Sequence, residues 1–243
     1  MPLRVLNAAI VYNEGDKFAA FLDRLLSTLN HEWSYLIVDD GSTDGSIVNH
    51  LSRITAAGIS VIRHHTNLGV GASIRTAIGY AKQNAYDIIS IMAGSGRMDP
   101  AELPRLLQPV IAGTADYVQG SRYLPGGRSI NVPLYRYLGI KVLTQVSRIV
   151  TGFPCTDITC GFRCYRLDIL DRAGIDLANE KLNGYELEYY LHYKVAKARL
   201  ILVEVPVTMR YPIGDKHYSK VAPFTGWWAM LKPFLYLTAR VWK

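Results

Sequence analysis

The chain is poor in several features that would place it at once. It has three cysteines in 243 residues, Cys155, Cys160 and Cys164. Their spacing lacks the paired C-x-x-C of common zinc sites, and no histidine lies nearby to complete one. They read as reduced cytosolic thiols, neither a disulfide framework nor a metal knuckle. No run of about 18 apolar residues occurs, so no segment reads as a membrane span. The start, Met1-Pro2-Leu3-Arg4, leads directly into a predicted strand and lacks the layout of a signal peptide. Acidic residues are the scarcer sign, 20 against 27 Lys and Arg, for a net charge of +7. That balance suits phosphate-bearing ligands or anionic lipid. With no basic run and no nucleic-acid motif, nucleic acid is not expected as a partner.

What is present is a regular alternation. Apolar residues make up 49% of the chain, enough for a substantial α/β core. Strands are predicted over residues 5–11, 35–38, 59–62, 87–92 and 116–120, with helical spacing between them. Such alternation implies a doubly wound, Rossmann-like, mostly parallel sheet flanked by helices, with right-handed crossovers. Past residue 120 the pattern loosens. Helices are predicted over 134–150 and 185–197, and an apolar strand over 200–207. Residues 221–243 are aromatic and basic, the make-up of an amphipathic interfacial tail. We therefore expect an α/β domain over 1–220 and a tail over 221–243.

The informative chemistry sits where strands end. Tyr35-Leu36-Ile37-Val38 runs into Asp39-Asp40-Gly41-Ser42-Thr43-Asp44-Gly45-Ser46. A buried strand ending in acids and glycine delivers carboxylates to the sheet edge, where open α/β sheets bind ligands. Adjacent carboxylates repel unless a donor or cation lies between them. The small-residue loop around Asn67-Leu68-Gly69-Val70-Gly71 lacks the G-x-G-x-x-G spacing of a dinucleotide fingerprint.

Together these blocks resemble the family 2 inverting glycosyltransferases of the GT-A fold, over nearly the whole chain. Val38 to Ser46 matches that family's most recognisable block, Tyr12-Asn13-Glu14 its first, and Asn67-Leu68-Gly69 with Arg75 its third. Gly120-Ser121-Arg122-Tyr123, the segment 157–166 and Tyr218-Ser219-Lys220 resemble the branch typified by dolichyl-phosphate mannosyltransferase. The resemblance implies a UDP- or GDP-linked sugar as donor and a polyprenyl phosphate (dolichyl or undecaprenyl) as acceptor. It implies donor-nucleotide binding by Tyr12, Glu14, Asp39, Asp40, Asn67, Arg75, Ser95 and Lys220. It places acceptor-phosphate binding at Arg122, Arg136 and Arg163, and catalytic roles at Asp157, as base or orienter, and Arg97. Lys216, Ser219 and Lys220 resemble a loop closing over the donor phosphates.

One block departs from the family. Its fourth strand normally ends in D-x-D, whose acids bind a divalent metal on the donor diphosphate. Here the aligned residues are Met92-Ala93-Gly94-Ser95-Gly96. Ala93 ligates nothing, and one Ser95 hydroxyl is a poor ligand for Mg²⁺ or Mn²⁺. Asp99 could supply a single carboxylate to a weakly held ion. Three readings stay open at this point: cations replace the metal, Asp99 and the donor hold it weakly, or the protein binds nucleotide-sugars without catalysis. A hydroxyl acceptor, with Glu186 or Glu188 as base, is a further alternative. The expected location is the cytosolic face of a membrane, with peripheral contact through the tail.

Overall fold

The computed structural model describes residues 2–211 and 225–242. Its chain order is β1 (Val5–Val11), α1 (Asp16–Leu26), β2 (Ser34–Asp39), α2 (Leu51–Ala56), β3 (Ser60–Arg63), α3 (Val70–Gln83) and β4 (Ile88–Ala93). Then come α4 (Leu103–Ile111), β5 (Tyr117–Ser121), β6 (Arg128–Ile130), α5 (Leu134–Thr151), β7 (Arg163–Arg166) and α6 (Ile169–Arg172). The last are α7 (Glu186–Lys197), β8 (Leu202–Pro206), β9 (Thr208–Arg210) and α8 (Thr225–Thr238).

Seven strands form one sheet in the order β3-β2-β1-β4-β7-β5-β8. All neighbours are parallel except β7, which runs antiparallel between β4 and β5. The apolar strand runs are explained by burial on both faces. On one face Ala9, Val11, Ile37 and Met92 pack with Phe18, Phe21 and Leu22 of α1 and Leu106 of α4. On the other, Leu6, Ala8, Val38 and Ile91 pack with Ile74 and Ile78 of α3 and Leu187 of α7. The sheet is thus the middle of three layers.

The first four strands place the ligand edge. β2 and β4 flank β1 in parallel, with Val11 opposite Asp39 and Ile10 opposite Ala93. The exits of β1, β2 and β4 therefore open side by side. A second small sheet, β6 paired with β9, borders this edge, and Met98 bridges to Met209.

The 225–242 part of the expected tail is packed into the body. Met230 and Phe234 of α8 join Leu143 of α5 and Tyr189 of α7 in a third apolar cluster. The Tyr189 and Phe234 rings meet edge to face at 5.9 Å. Gly139 makes the α5–α8 approach possible, since a Cβ there would stand 2.6 Å from the Trp227 ring. The aromatic residues that read as interfacial are therefore partly core: Phe234 is buried, while Trp228 remains exposed. Among the described residues no helix is long and apolar enough to cross a membrane.

Candidate active site

At the mouth of β1 and β2 the two loops are stitched together by small polar residues. Asn13 N–H donates to Ser42 Oγ at 3.0 Å, and Thr43 N–H donates to Asn13 Oδ1 at 2.8 Å. Gly15 N–H donates to Asp44 Oδ2 at 2.8 Å and to Ser46 Oγ at 3.0 Å. Burial would raise the Asp44 carboxyl, but its bonds with Ser46 and Gly15 outweigh that and hold it below the usual range. The Asp-rich block thus frames the Tyr12–Glu14 loop rather than starting a helix directly.

The two neighbouring acids are held differently. Asp39 is fully buried. Its Oδ1 accepts from Ser42 N–H at 2.8 Å, and its Oδ2 lies 3.4 Å from Arg63 Nε without a hydrogen bond. Asp40 clamps the Asn67 loop. Its Oδ1 accepts from Leu68 N–H at 2.9 Å and faces His64 Nδ1 at 2.7 Å, while Oδ2 accepts from Gly69 N–H at 2.9 Å. Their mutual repulsion is offset by these donors. Asp39 is expected from the sequence to bind the donor nucleotide, but its carboxylate is sealed beside Arg63 and only Asp40 of the pair faces open space.

These strand ends open into a cavity of about 440 Å³. Tyr12, Glu14, Asp40, Asn67 and Gly69 line one part of it. Ala93 and Arg97 line the β4 part, and Arg136, Thr159, Tyr185, Glu188 and Tyr211 the far part. Met92, Met98, Met209 and Met230 add a soft apolar lining. The charges converge. Burial raises the Tyr185 phenol, while Arg97 and Arg136 lower it and Glu188 and Glu14 raise it further.

The β4 exit is shaped by its small residues. Gly94 N–H donates to Ile10 O at 2.9 Å, and a Cβ on Gly94 would stand 2.6 Å from Val11 Cγ2. Arg97 Nε donates to Ser95 Oγ at 3.0 Å. Ser95 is buried and does not line the cavity; its hydroxyl positions Arg97.

A divalent metal does not fit the described residues at this exit. Ala93 and Ser95 supply no carboxylate. Asp99, the remaining candidate ligand, is committed elsewhere: it accepts from Arg24 Nε at 2.9 Å and Nη2 at 3.2 Å, and from Ala101 N–H at 3.0 Å. Burial pushes its carboxyl up, but these bonds outweigh burial and lower it. Asp99 is a helix cap and ion-pair partner outside the cavity lining. Among the described residues no group of three His, Cys, Asp or Glu side chains could hold an ion.

Several expected ligand-binding arginines are structural. Arg122 forms a buried two-pronged pair with Asp157, Nε to Oδ2 at 2.6 Å and Nη2 to Oδ1 at 2.7 Å. It also donates to Tyr211 Oη and Thr159 Oγ1, each at 2.5 Å. Thr159 and Tyr211 face the cavity; Arg122 and Asp157 lie behind them, so neither is placed to hold a phosphate or take a proton. Arg163 is likewise buried, donating to the carbonyls of Cys160, Ile158 and Glu188, with Glu188 Oε1 3.5 Å away. It anchors loops beneath the floor instead of meeting an acceptor. Arg75 is taken up by the carbonyls of Leu177 at 3.2 Å and Asn179 at 3.1 Å and by Asn183 Oδ1. It ties α3 to the segment before α7 and leaves the diphosphate side. Lys216, Ser219 and Lys220 lie outside the described residues.

The cavity does bring together Tyr12, Glu14, Asp40, Asn67, Arg97 and Arg136. Sequence reading missed Tyr185, Tyr189 and Tyr211. The first two border Glu186-Leu187-Glu188, and an aromatic beside an acid at a helix start was the available signal; nothing local marked Tyr211.

Comparison with known proteins follows the same outline. The sequence profile of glycosyl transferase family 2 matches residues 9–174. The undecaprenyl-phosphate mannosyltransferase of Micrococcus luteus is 34% identical over 221 residues, 89% of this chain and 88% of that protein. The polyprenol monophosphomannose synthase of Mycolicibacterium smegmatis is 32% identical over 207 residues, covering 84% and 77%. Among solved structures, glucosyl-3-phosphoglycerate synthase of Mycobacterium tuberculosis, with Mn²⁺, UDP and phosphoglyceric acid, superposes with a TM-score of 0.67. It is 14% identical, with 97% of this chain and 78% of that one covered, a likeness of fold.

Proposed function

The chain belongs to glycosyl transferase family 2, and on that premise we propose that it moves a sugar from a nucleotide-sugar to a polyprenyl phosphate, with inversion. The observation that carries this is one cavity that joins a nucleoside-type edge to a basic, partly apolar far wall. Glu14, Asp40 and Asn67 supply acceptors and an amide for base and ribose. Asp39 is fully buried outside the cavity lining and supports this edge from behind by accepting from Ser42 N–H. Arg136, from α5, supplies a cation for the acceptor phosphate and sits 5.6 Å over the Tyr211 ring.

The acceptor choice has a physical argument. A phosphate monoester has a second pKa near 6, so at neutral pH it needs no strong base. Asp157 is sealed against Arg122, which leaves a phosphate acceptor better served than a hydroxyl. One lone pair of the acceptor phosphate forms the new bond to the anomeric carbon. The bond from that carbon to the donor phosphate breaks, and its electron pair leaves with the nucleoside diphosphate.

A second reading, transfer to a hydroxyl, is favoured by one observation: the Glu188 carboxylate lines the cavity within 3.5 Å of Arg163. Glu188 would then serve as base. We place the protein at the cytosolic face of a membrane, where its acceptor would be met. Support comes from α5, which exposes Leu134, Tyr135, Leu138, Val142 and Ile149, carries Arg136, Lys141 and Arg148, and has no acid. The membrane face is thus assigned to α5 more than to the tail.

The test is transfer from UDP- and GDP-hexoses to a short polyprenyl phosphate, comparing wild type with Arg136→Ala and Glu188→Gln. A rise in acceptor KM for Arg136→Ala, with donor KM unchanged, supports the lipid-phosphate reading. Turnover only with soluble hydroxyl acceptors, lost in Glu188→Gln, supports the other.

A further inference from the structure

We propose that Arg97 stands in place of the divalent metal, so that the enzyme binds and cleaves its nucleotide-sugar without a bound metal ion. The inference rests on the nucleotide-sugar reading above and adds how the diphosphate is made to leave.

When the bond to the anomeric carbon breaks, the departing nucleoside diphosphate keeps the electron pair and gains a negative charge. Catalysis requires a preorganised positive group at that place. The exit of β4 is the place, because Ala93 lies opposite Ile10 on β1, beside the Tyr12–Glu14 loop. Among the described residues, the oxygens that would replace the acidic pair are absent or committed. Ala93 has none, Ser95 is bonded to Arg97, and Asp99 is held by Arg24. Asp40 and Glu14 line the cavity, but among the described residues they belong to no group of three side chains that could hold an ion.

What the turn offers instead is a fixed guanidinium. Ser95 Oγ takes the Arg97 Nε–H at 3.0 Å and so aims the group. The Arg97 carbonyl accepts from Arg210 N–H at 3.1 Å, and the next residue, Met98, bridges to Met209. The turn is thus tied to β9 just after the Arg97 side chain. A guanidinium presents a planar fork that matches phosphate oxygens in pairs. A fixed cation here also repels a divalent ion that would otherwise enter the same space. Arg136 lines the far part of the same cavity, and both cations lower the Tyr185 phenol.

The experiment is calorimetric binding of UDP and GDP, and of uridine and guanosine, to the full chain. Protein is stripped with EDTA and then measured with EDTA or with Mn²⁺. Wild type is expected to bind one diphosphate equally well, within about twofold, under both conditions. Arg97→Gln is expected to lose roughly 10-fold or more in diphosphate affinity while binding the nucleoside unchanged, which also reports that the variant is folded. Arg97→Lys should recover part of the loss. The triple variant Ala93→Asp, Ser95→Asp, Arg97→Gln should bind the diphosphate only with Mn²⁺. Turnover in EDTA should fall about 100-fold in Arg97→Gln. Diphosphate binding by wild type that requires Mn²⁺ overturns the inference alone, as does an Arg97→Gln variant that binds diphosphate normally. No diphosphate binding under either condition overturns the nucleotide-sugar reading and the inference with it. Metal-free binding and turnover without transfer to lipid leave the inference standing and count against the acceptor reading.

Discussion

Arg122 and Arg136 show how one residue type serves two ends. Arg122 is buried in a pair with Asp157 and also bonds Tyr211 and Thr159. Removing one partner leaves a buried charge uncompensated, at about 3–5 kcal/mol. Arg122→Ala and Asp157→Ala are each expected to lower unfolding free energy in urea by that order. His192 gives a pH signature. Burial, aided by Arg163, lowers its pKa to about 3. Unfolded, it titrates near its usual ~6.5, so between these values the unfolded chain binds more protons. Its contribution to stability is full above about 6.5 and falls as pH drops towards 3, by at most ~1.4 kcal/mol per pH unit. Comparing stability against pH for wild type and His192→Leu isolates this: the wild-type curve should fall more steeply below pH 6.5. These roles were hidden in the sequence because a buried arginine is defined by distant partners. Asp157 lies 35 positions from Arg122, and Asn183 lies 108 from Arg75. Residues at strand exits, such as Glu14, Asp40 and Asn67, were legible because topology alone brings them together.

Among elements, the strands buried on both faces read clearly, since their apolar runs have no other stable use. β7 did not. Arg163-Cys164-Tyr165-Arg166 is short and charged at both ends, yet it inserts antiparallel between β4 and β5. Its arginines are accommodated by carbonyls and by Asp168, which only the folded chain supplies. Helix α8 read as a membrane-surface tail because Trp, Tyr and Lys serve core edges and interfaces alike. Its burial predicts that Phe234→Ala costs about 3–5 kcal/mol in urea unfolding. The exposed face of α5 predicts the opposite behaviour. Leu138→Glu with Val142→Glu should leave the melting temperature unchanged and abolish co-sedimentation with anionic vesicles. Unchanged sedimentation would remove α5 as the membrane face.

For the whole molecule, the net charge of +7, the three-layer fold and the cavity at the strand exits fit a reaction with anions on both sides. The donor brings a diphosphate and the acceptor a monophosphate, and the positive residues at the cavity, Arg97 and Arg136, stand toward them. The fold was legible as a whole. The loss of the acidic metal pair was also visible, but its consequence was not, because only the folded turn shows Ser95 holding Arg97 and Asp99 turned to Arg24.

The central claim, sugar transfer to a lipid phosphate, is tested most directly by following labelled sugar from UDP- and GDP-hexoses into the organic phase. Polyprenyl phosphate and the matching unphosphorylated polyprenol are compared as acceptors. The account predicts inverted, lipid-linked sugar with the phosphate and none with the alcohol. Equal transfer to the alcohol, or label only on soluble acceptors, would contradict it.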